Sequence, residues 1–415
     1  MSVLYLTAPQ NGLKGEVGLP YSKSISNRLL IINALSGSSQ KIENLSDSSD
    51  TVILKEALNI CSNKKEINVH DAGTSMRFLT AYLANKPGEY FLTGSERMKK
   101  RPIKGLVDSL TTLGADIKYQ GKLGYPPLFI NGKKLNGGMI EIDAGISSQF
   151  ISALMMIAPT LKNGLRIRLK NEIASLPYIV MTKEIMEKFG IDIRILNNEI
   201  IIREVNYNPG LYSVEPDWTS ASYFFALVAL SKNGEIFFPG LTKDSIQGDS
   251  ILYQWFKDFG VTSVFDTKGL TIIKKSSKKP CSANINFKNN PDLAQTMAVF
   301  FAGSGQNALM SGLHSLRIKE TDRITALQNE LEKIGYILQE HSNDKWQLER
   351  VNNHSLSSKI PVFETYEDHR MAMSFSILAM TKKVIGIKNP EVVIKSFPSY
   401  WENLKAIGFS VSSSP

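Results

Sequence analysis

Residues 186–193 read Met186-Glu-Lys-Phe189-Gly190-Ile-Asp-Ile193: the last turn of an amphipathic helix, an apolar residue, a glycine and a short alternating strand. A glycine there suits the left-handed residue that follows a helix C-terminus, where a side chain is strained. The same ending recurs as Leu113-Gly114-Ala-Asp-Ile, Phe259-Gly260-Val, Ile334-Gly335-Tyr-Ile-Leu and Ile407-Gly408-Phe-Ser-Val. One copy is ordinary in any α/β chain. Successive glycines separated by 76, 70, 75 and 73 positions indicate internal repetition. Ahead of Gly114 in the chain, Cys61 closes a comparable helix, Leu54 to Ile60, before Glu66-Ile-Asn-Val, which reads as a degenerate first copy. Six α/β units divide most simply into two domains of three. The expected crossing points are Leu19 to Tyr21 and Tyr212 to Glu215. Residues 1–20 then join residues 214–415 in one domain, and residues 21–213 form the inserted other.

Composition agrees with two domains. The 415 residues are too many for one simple core. At 42% hydrophobic and 21% charged, the chain reads as an ordinary globular protein, and no apolar run approaches the roughly 20 residues of a membrane helix. The start, Met-Ser-Val-Leu-Tyr-Leu-Thr-Ala-Pro, lacks the basic and apolar regions of a leader peptide. Cys61 and Cys281 stand far apart with no metal-type spacing near either, which suits a reduced cytoplasm. The net charge of +9 fits a nucleic acid or a small, highly anionic substrate. The cations are scattered along the chain, and the dense run Lys274-Lys-Ser-Ser-Lys-Lys279 reads as an exposed turn.

Chemistry-bearing residues gather at helix starts. Ser22-Lys23-Ser24-Ile-Ser26-Asn27-Arg28 leads into one helix, with Ser24 as a cap and Arg28 one turn later. Asp71-Ala-Gly73-Thr74, Ser147-Ser148-Gln149, Ser175-Leu-Pro177-Tyr178, Pro291-Asp292 and Asp368-His369-Arg370 open others. Arg317-Ile-Lys-Glu-Thr-Asp-Arg323 sets five ionisable side chains in seven residues. Read as a helix, it puts Lys319 and Arg323 on one face with Glu320 beside them. A solvated, salt-bridged helix start is the plain alternative for such a run, and ordinary capping is the plain alternative for each start. Jointly they describe an anion site, because helix N-termini carry free N–H groups and partial positive charge. No GxxxxGK[ST] or GxGxxG occurs, so neither nucleotide loop is indicated.

Nearly the whole chain resembles the 5-enolpyruvylshikimate-3-phosphate (EPSP) synthase family. The resemblance rests on Leu19-Pro-Tyr-Ser-Lys-Ser-Ile-Ser-Asn-Arg28, Asp71-Ala-Gly-Thr74, Lys100-Arg-Pro102, Ser147-Ser-Gln149, Ser175-Leu-Pro-Tyr178, Pro291-Asp292, the septet 317–323, Asp368-His-Arg-Met-Ala-Met373 and Lys395-Ser-Phe-Pro398, in that family's order. It implies an α/β, two-domain inside-out α/β barrel (the enolpyruvyl transferase fold) of six βαβαββ-type repeats, three per domain, closing on a cleft at the hinge. It also implies transfer of the enolpyruvyl group of phosphoenolpyruvate to the 5-hydroxyl of shikimate 3-phosphate, in the shikimate pathway. It further implies a cytoplasmic monomer with no metal or organic cofactor, inhibited by glyphosate, with no nucleic-acid or membrane partner.

By the same resemblance, Ser24, Arg28, Ser147, Ser148, Ser175, Ser315 and Lys319 hold shikimate 3-phosphate, and Tyr178 packs against its ring. Gly73, Arg101, Arg323, Arg370 and Lys395 hold phosphoenolpyruvate, while Lys23 and Gln149 touch both. Asp292 takes the 5-hydroxyl proton. Glu320 protonates the enolpyruvyl methylene and later removes a proton as phosphate departs. Acid and base must reach different faces of one small site, and two carboxylates on separate helices can do so.

Five positions depart from the family pattern: Tyr21 for a usual Gly, His70-Asp71 for Gly-Asn, Phe78 for Pro, and Ser315 for an Asn that commonly contacts shikimate 3-phosphate. His369 reads as a packed, orienting residue. The related UDP-N-acetylglucosamine enolpyruvyl transferases carry a reactive loop residue, usually Cys, before an Arg-Pro pair; Gly94-Ser-Glu-Arg-Met-Lys-Lys-Arg-Pro102 holds no Cys. A polyanion-binding repeat protein would want interleaved aromatics on an open basic face, and leaves Asp292 and Glu320 without a role.

Overall fold

The computed structural model describes residues 2–37, 41–60, 66–275, 283–342, 344–351 and 359–413. Cys61, Cys281 and residues 276–279 of the basic run lie outside them. Contacts divide the chain into two compact units, Met1–Pro20 with Glu215–Pro415, and Tyr21–Val214.

In the unit Tyr21–Val214, one repeat runs strand Glu66–Asn68, helix Gly73–Ala84, strand Gly88–Thr93, helix Lys104–Thr112 and strands Asp116–Tyr119 and Leu128–Gly132. The first two strands pair parallel across their helix and the others add antiparallel, as expected when a parallel pair needs a crossover and an antiparallel pair only a turn. Strands and helices from Asn136–Asp143 to Glu199–Ile202 repeat the pattern. A third, shorter repeat holds helices Lys23–Ser36 and Ser49–Ile60, with strand Lys41–Glu43 parallel to Leu211–Ser213. This corrects the reading of Glu66-Ile-Asn-Val as the end of a degenerate first copy. That strand pairs parallel with Gly88–Thr93 and opens the next repeat.

The other unit carries three four-stranded sheets. In one, Leu13–Glu16 pairs parallel with Gly234–Pro239, so residues far apart in sequence open and continue a single repeat. The second spans strands Ala283–Asn286 to Lys345–Arg350. In the third, the N-terminal strand Val3–Thr7 lies between Val384–Lys388 and Ser410–Ser413, antiparallel to both, and supplies the last repeat's fourth strand. Among the described residues no ladder closes into a barrel of strands; the sheets are separate.

The recurring glycines have the expected conformation: Gly114, Gly190, Gly260, Gly335 and Gly408 take φ of 91°, 83°, 79°, 82° and 104°. After helix Lys104–Thr112, the Gly114 N–H donates to the Thr111 carbonyl at 2.9 Å and the Ala115 N–H to that of Leu110 at 3.0 Å. That paired bonding satisfies two of the carbonyls a helix end leaves over.

Burial sorts helices inward and sheets outward within each unit. Helix Gly73–Ala84 buries all but Thr74 and helix Ser148–Ile157 all but Gln149, as helices apolar on every side must. Strand Lys162–Lys170 turns Leu165, Ile167 and Leu169 inward and Arg166, Arg168 and Lys170 outward. In the other unit, Phe224, Phe225, Phe238 and Phe256 are fully buried. Truncating one to Ala is expected to cost about 3–5 kcal/mol. Among the described residues no helix is long and apolar enough to cross a membrane.

Candidate active site

Within each unit, polar contacts tie several helix starts to one another. In the unit Tyr21–Val214, Lys23 Nζ pairs with Asp50 Oδ2 at 3.0 Å, joining the starts of Lys23–Ser36 and Ser49–Ile60. Ser75 Oγ donates to the Asp50 carbonyl at 3.3 Å and brings in helix Gly73–Ala84. Gln149 Nε2 donates to Thr74 Oγ1 at 3.2 Å, adding helix Ser148–Ile157. Arg28 reaches the Tyr178 carbonyl at 3.3 Å, adding helix Leu176–Lys188. Five helix starts are thereby linked. The partial positive charge at such helix starts favours a bound anion.

Arg28 is 2% exposed and meets only neutral acceptors among the described residues: Thr182 Oγ1 at 2.7 Å, the Ser24 carbonyl at 2.8 Å, Ser152 Oγ at 3.1 Å and the Tyr178 carbonyl. Its guanidinium also lies 5.4 Å from the centre of the Phe78 ring and 5.9 Å from that of Tyr178. Burial pulls its pKa down to about 10. A buried cation without a carboxylate partner projects its field onto whatever anion approaches. Phe78 thus contributes a ring face to this arginine. Ser175 sits at φ 57°, ψ 44° immediately before its helix, an uncommon conformation for a residue with a side chain.

Gly73 lies against Arg101. A Cβ on Gly73 would come 2.4 Å from Arg101 Nη1 and 2.7 Å from Nη2. Asp71 accepts a short hydrogen bond from the Ser95 hydroxyl, while Arg77 donates to the carbonyls of Gly73 at 3.2 Å and Pro102 at 3.0 Å. Ser147, extended at φ −163°, precedes the helix in which Ser148 and Gln149 form the first turn.

In the other unit the centre is Asp292, in the turn Pro291–Leu293 that leads into helix Ala294–Ser304. Arg370 Nη2 lies 2.9 Å from Asp292 Oδ2, and Arg323 Nη1 and Lys319 Nζ lie 3.4 Å and 3.6 Å from Oδ1. Arg323, its side chain 1% exposed, also meets Asp368 at 2.7 Å and Glu320 at 2.8 Å. Asp368 caps the helix His369–Ser376 through the Arg370 N–H at 2.8 Å. Burial would raise the Asp292 pKa, but Arg370, Lys319 and Arg323 outweigh it and hold the carboxyl well below the usual range. In the Arg323 guanidinium, the carboxylates of Asp368 and Glu320 outweigh desolvation and raise the pKa.

The septet is not one helix. His314–Ile318 is a 3-10 turn, Lys319 is extended, and the α-helix Arg323–Glu332 begins only after Asp322, whose side chain accepts from the N–H groups of Ile324 and Thr325. Lys319 and Arg323 are gathered by Asp292, not by helical spacing. Ser24 falls inside its helix, with Ser22 ahead of it. His369 is buried, with Nδ1 3.8 Å from Asp368 Oδ1. Ser315 lies in the 3-10 turn, and Lys395 ends another, Pro390–Lys395. Asp50, Ser152, Thr182, Asp249 and Asn290 are polar partners that the sequence reading passes over. Their only signal is position near a helix start or one turn below a named residue, as with Thr182 after Tyr178.

A fold of βαβαββ repeats with linked helix starts, buried cations and a carboxylate ringed by three cations defines a class: α/β enzymes that act on small anionic reactants. The model of the family "EPSP synthase (3-phosphoshikimate 1-carboxyvinyltransferase)" matches residues 7–62 and 55–404. A 3-phosphoshikimate 1-carboxyvinyltransferase of Bacteroides fragilis is 43% identical over 410 residues, 98% of each chain. One from Buchnera aphidicola is 38% identical, covering 96% of each, and one from Vibrio campbellii is 34% identical, covering 96% of this chain and 98% of that one. An EPSP synthase structure from Acinetobacter baumannii, only 20% identical, shares the fold with a TM-score of 0.78 over 100% of both chains. The chain belongs to the EPSP synthase family.

Proposed function

We propose that this chain transfers the enolpyruvyl group of phosphoenolpyruvate to the 5-hydroxyl of shikimate 3-phosphate and releases phosphate, as a 3-phosphoshikimate 1-carboxyvinyltransferase. The observation that carries the reading is Asp292 with Arg370 at 2.9 Å, Arg323 at 3.4 Å and Lys319 at 3.6 Å, and Glu320 on Arg323 at 2.8 Å.

Lys23, Ser24, Arg28, Ser147, Ser148, Gln149, Ser175, Ser315 and Lys319 hold shikimate 3-phosphate, with Tyr178 against its ring. Lys23, Gly73, Arg101, Gln149, Arg323, Arg370 and Lys395 hold phosphoenolpyruvate. Glu320 donates a proton to the methylene carbon, and the adjacent carbon gains oxocarbenium character. The 5-hydroxyl oxygen attacks that carbon as its proton passes to Asp292, giving a tetrahedral intermediate. The bond to the phosphate oxygen then breaks, Glu320 takes a proton back from the methyl group, and phosphate leaves.

The ion pairs of Asp292 have a consequence for this sequence. Three cations that hold Asp292 ionised also make it a weak base. Incoming phosphate and carboxylate groups draw Lys319 and Arg370 to themselves, so the carboxylate gains basicity when both reactants are in place. Binding thereby readies the base.

The same reading takes the chain to act in the cytoplasm, as a single copy and without metal or organic cofactor. Phosphate release measured with phosphoenolpyruvate and either shikimate 3-phosphate or UDP-N-acetylglucosamine tests it. Release with the first acceptor alone is expected; release with the second, or with neither, overturns the reading.

A further inference from the structure

The unit that holds Asp292 also buries the carboxylate of Asp249, which has no part in the reaction as described. Asp249 lies in the 3-10 turn Gly248–Ile251. Its Oδ2 accepts from Thr219 Oγ1 at 2.6 Å and its Oδ1 from Asn290 Nδ2 at 3.0 Å. Thr219 is the second residue of helix Trp218–Leu230. Gln247, two residues before Asp249, fastens the same helix start by accepting from the Trp218 N–H at 3.1 Å and donating to the Pro216 carbonyl at 2.8 Å. The turn that carries Asp249 is therefore fixed independently of Asp292.

Asn290 is the link to Asp292. Its backbone, at φ −131° and ψ 53°, forms the bend just before Pro291 and Asp292, and its carbonyl accepts from the Leu293 N–H at 3.1 Å. Pro291 fixes its own φ, so the direction in which Asp292 leaves the bend depends on how Asn290 is held. The Asn290 side chain is buried and Asp249 is its acceptor.

We propose that Asp249, acting through Asn290, is a positioning residue that sets the Asp292 carboxylate for proton transfer. This rests on the reading of Asp292 as the base. A purely structural role is a poor explanation for an acid at this place. Burial first, and the Asp292 charge next, push its carboxyl up to about 6, so keeping it there costs stability. An apolar residue would avoid that cost but would leave the Asn290 amide unmatched.

The test is a set of variants assayed for phosphate release with both substrates at saturation: Asp249→Ala, Asn290→Ala, the two combined, Asp249→Asn and Asp292→Asn. Asp249→Ala and Asn290→Ala should each lower kcat on the order of 10²-fold, since small misplacements of a reacting group carry that penalty. KM for each substrate should stay within about threefold, because substrate binding is untouched. The combined variant should be no slower than the slower single one, as two residues acting through one contact predict. Asp249→Asn can still accept from Asn290 and donate to Thr219, and should recover most of kcat. Wild-type kcat in Asn290→Ala, or additive losses in the combined variant, overturns the proposal. Should Asp249→Ala not fold, Asn290→Ala alone decides. Full activity in Asp292→Asn would instead remove the base itself; loss there with normal Asp249 and Asn290 variants removes only the positioning role.

Discussion

Arg370 holds Asp292 at two points: Nη2 lies 2.9 Å from the carboxylate and Nη1 donates to the backbone carbonyl at 3.4 Å. The two residues stand 78 positions apart, on neighbouring helix starts of one unit. One guanidinium is thus both the counter-ion of the proposed base and the proposed donor-anion ligand. Arg370→Lys keeps a charge but loses the planar fork. We expect KM for phosphoenolpyruvate to rise on the order of 10-fold and kcat to fall as well, because Asp292 loses its backbone tether. An unchanged KM for phosphoenolpyruvate in steady-state assays would take Arg370 out of the donor site.

Lys23 is paired with Asp50, whose side chain is 5% exposed. Lys23→Ala therefore removes a proposed substrate contact and strands a buried carboxylate, at a cost of about 3–5 kcal/mol. Turnover should fall by at least about 10²-fold, as when a charge-assisted bond to a desolvated anion is lost. Adding Asp50→Asn should restore the thermal midpoint and leave turnover low. Recovery of turnover in the double variant would mean that Lys23 serves only to balance Asp50.

Gly73 is a glycine for lack of room beside Arg101. The added methyl of Gly73→Ala, 2.4 Å from Nη1, must push the guanidinium aside. Because Arg101 is a proposed phosphoenolpyruvate ligand, KM for phosphoenolpyruvate should rise modestly. Glyphosate should inhibit wild type competitively with phosphoenolpyruvate and weaken on the order of 10-fold or more in the variant, as a close-packed pocket rejects a methyl. Inhibition that does not compete with phosphoenolpyruvate, or does not respond to Gly73→Ala, contradicts this. The carboxylate of Asp71 is engaged by the Ser95 hydroxyl, so Ser95→Ala should leave it to repel the donor and raise KM further.

Asp249 gives a pH signature of its own. Its carboxyl is raised from 3.8 to about 6 by burial first and by Asp292 next. The folded chain then binds this proton more tightly than the unfolded chain. Stability from this group is full below pH 3.8 and is lost as pH rises through about 6. Asp249→Asn has no such loss. Its stability relative to wild type should improve by on the order of 3 kcal/mol between pH 4 and pH 7, then level off. Denaturant melts at matched pH values measure the difference; a pH-independent difference contradicts the shift.

The repeat was legible because its signal is backbone geometry. A left-handed C-terminal position selects glycine whatever the surroundings, and five such glycines kept their spacing. The first repeat was misread at Glu66-Ile-Asn-Val because short strands look alike until they are paired, and pairing is a tertiary fact. The septet was misread as helix because its charges fit helical spacing, while Asp322 was read as one more charge instead of the cap that starts the helix. Asp50, Thr182 and Asp249 stayed hidden for another reason. A buried polar residue that serves a distant partner has the same local sequence as a cap or a core threonine.

The most direct test of the account is a single-turnover measurement on Asp292→Asn with both substrates, paired with equilibrium binding of shikimate 3-phosphate. Removing the carboxylate frees Arg370 and Lys319 for anions while abolishing the proposed base. The account predicts a chemical step slowed by at least about 10²-fold, as loss of a general base entails, with a Kd for shikimate 3-phosphate equal to or tighter than wild type. A variant that binds shikimate 3-phosphate poorly yet turns over at the wild-type single-turnover rate would contradict it.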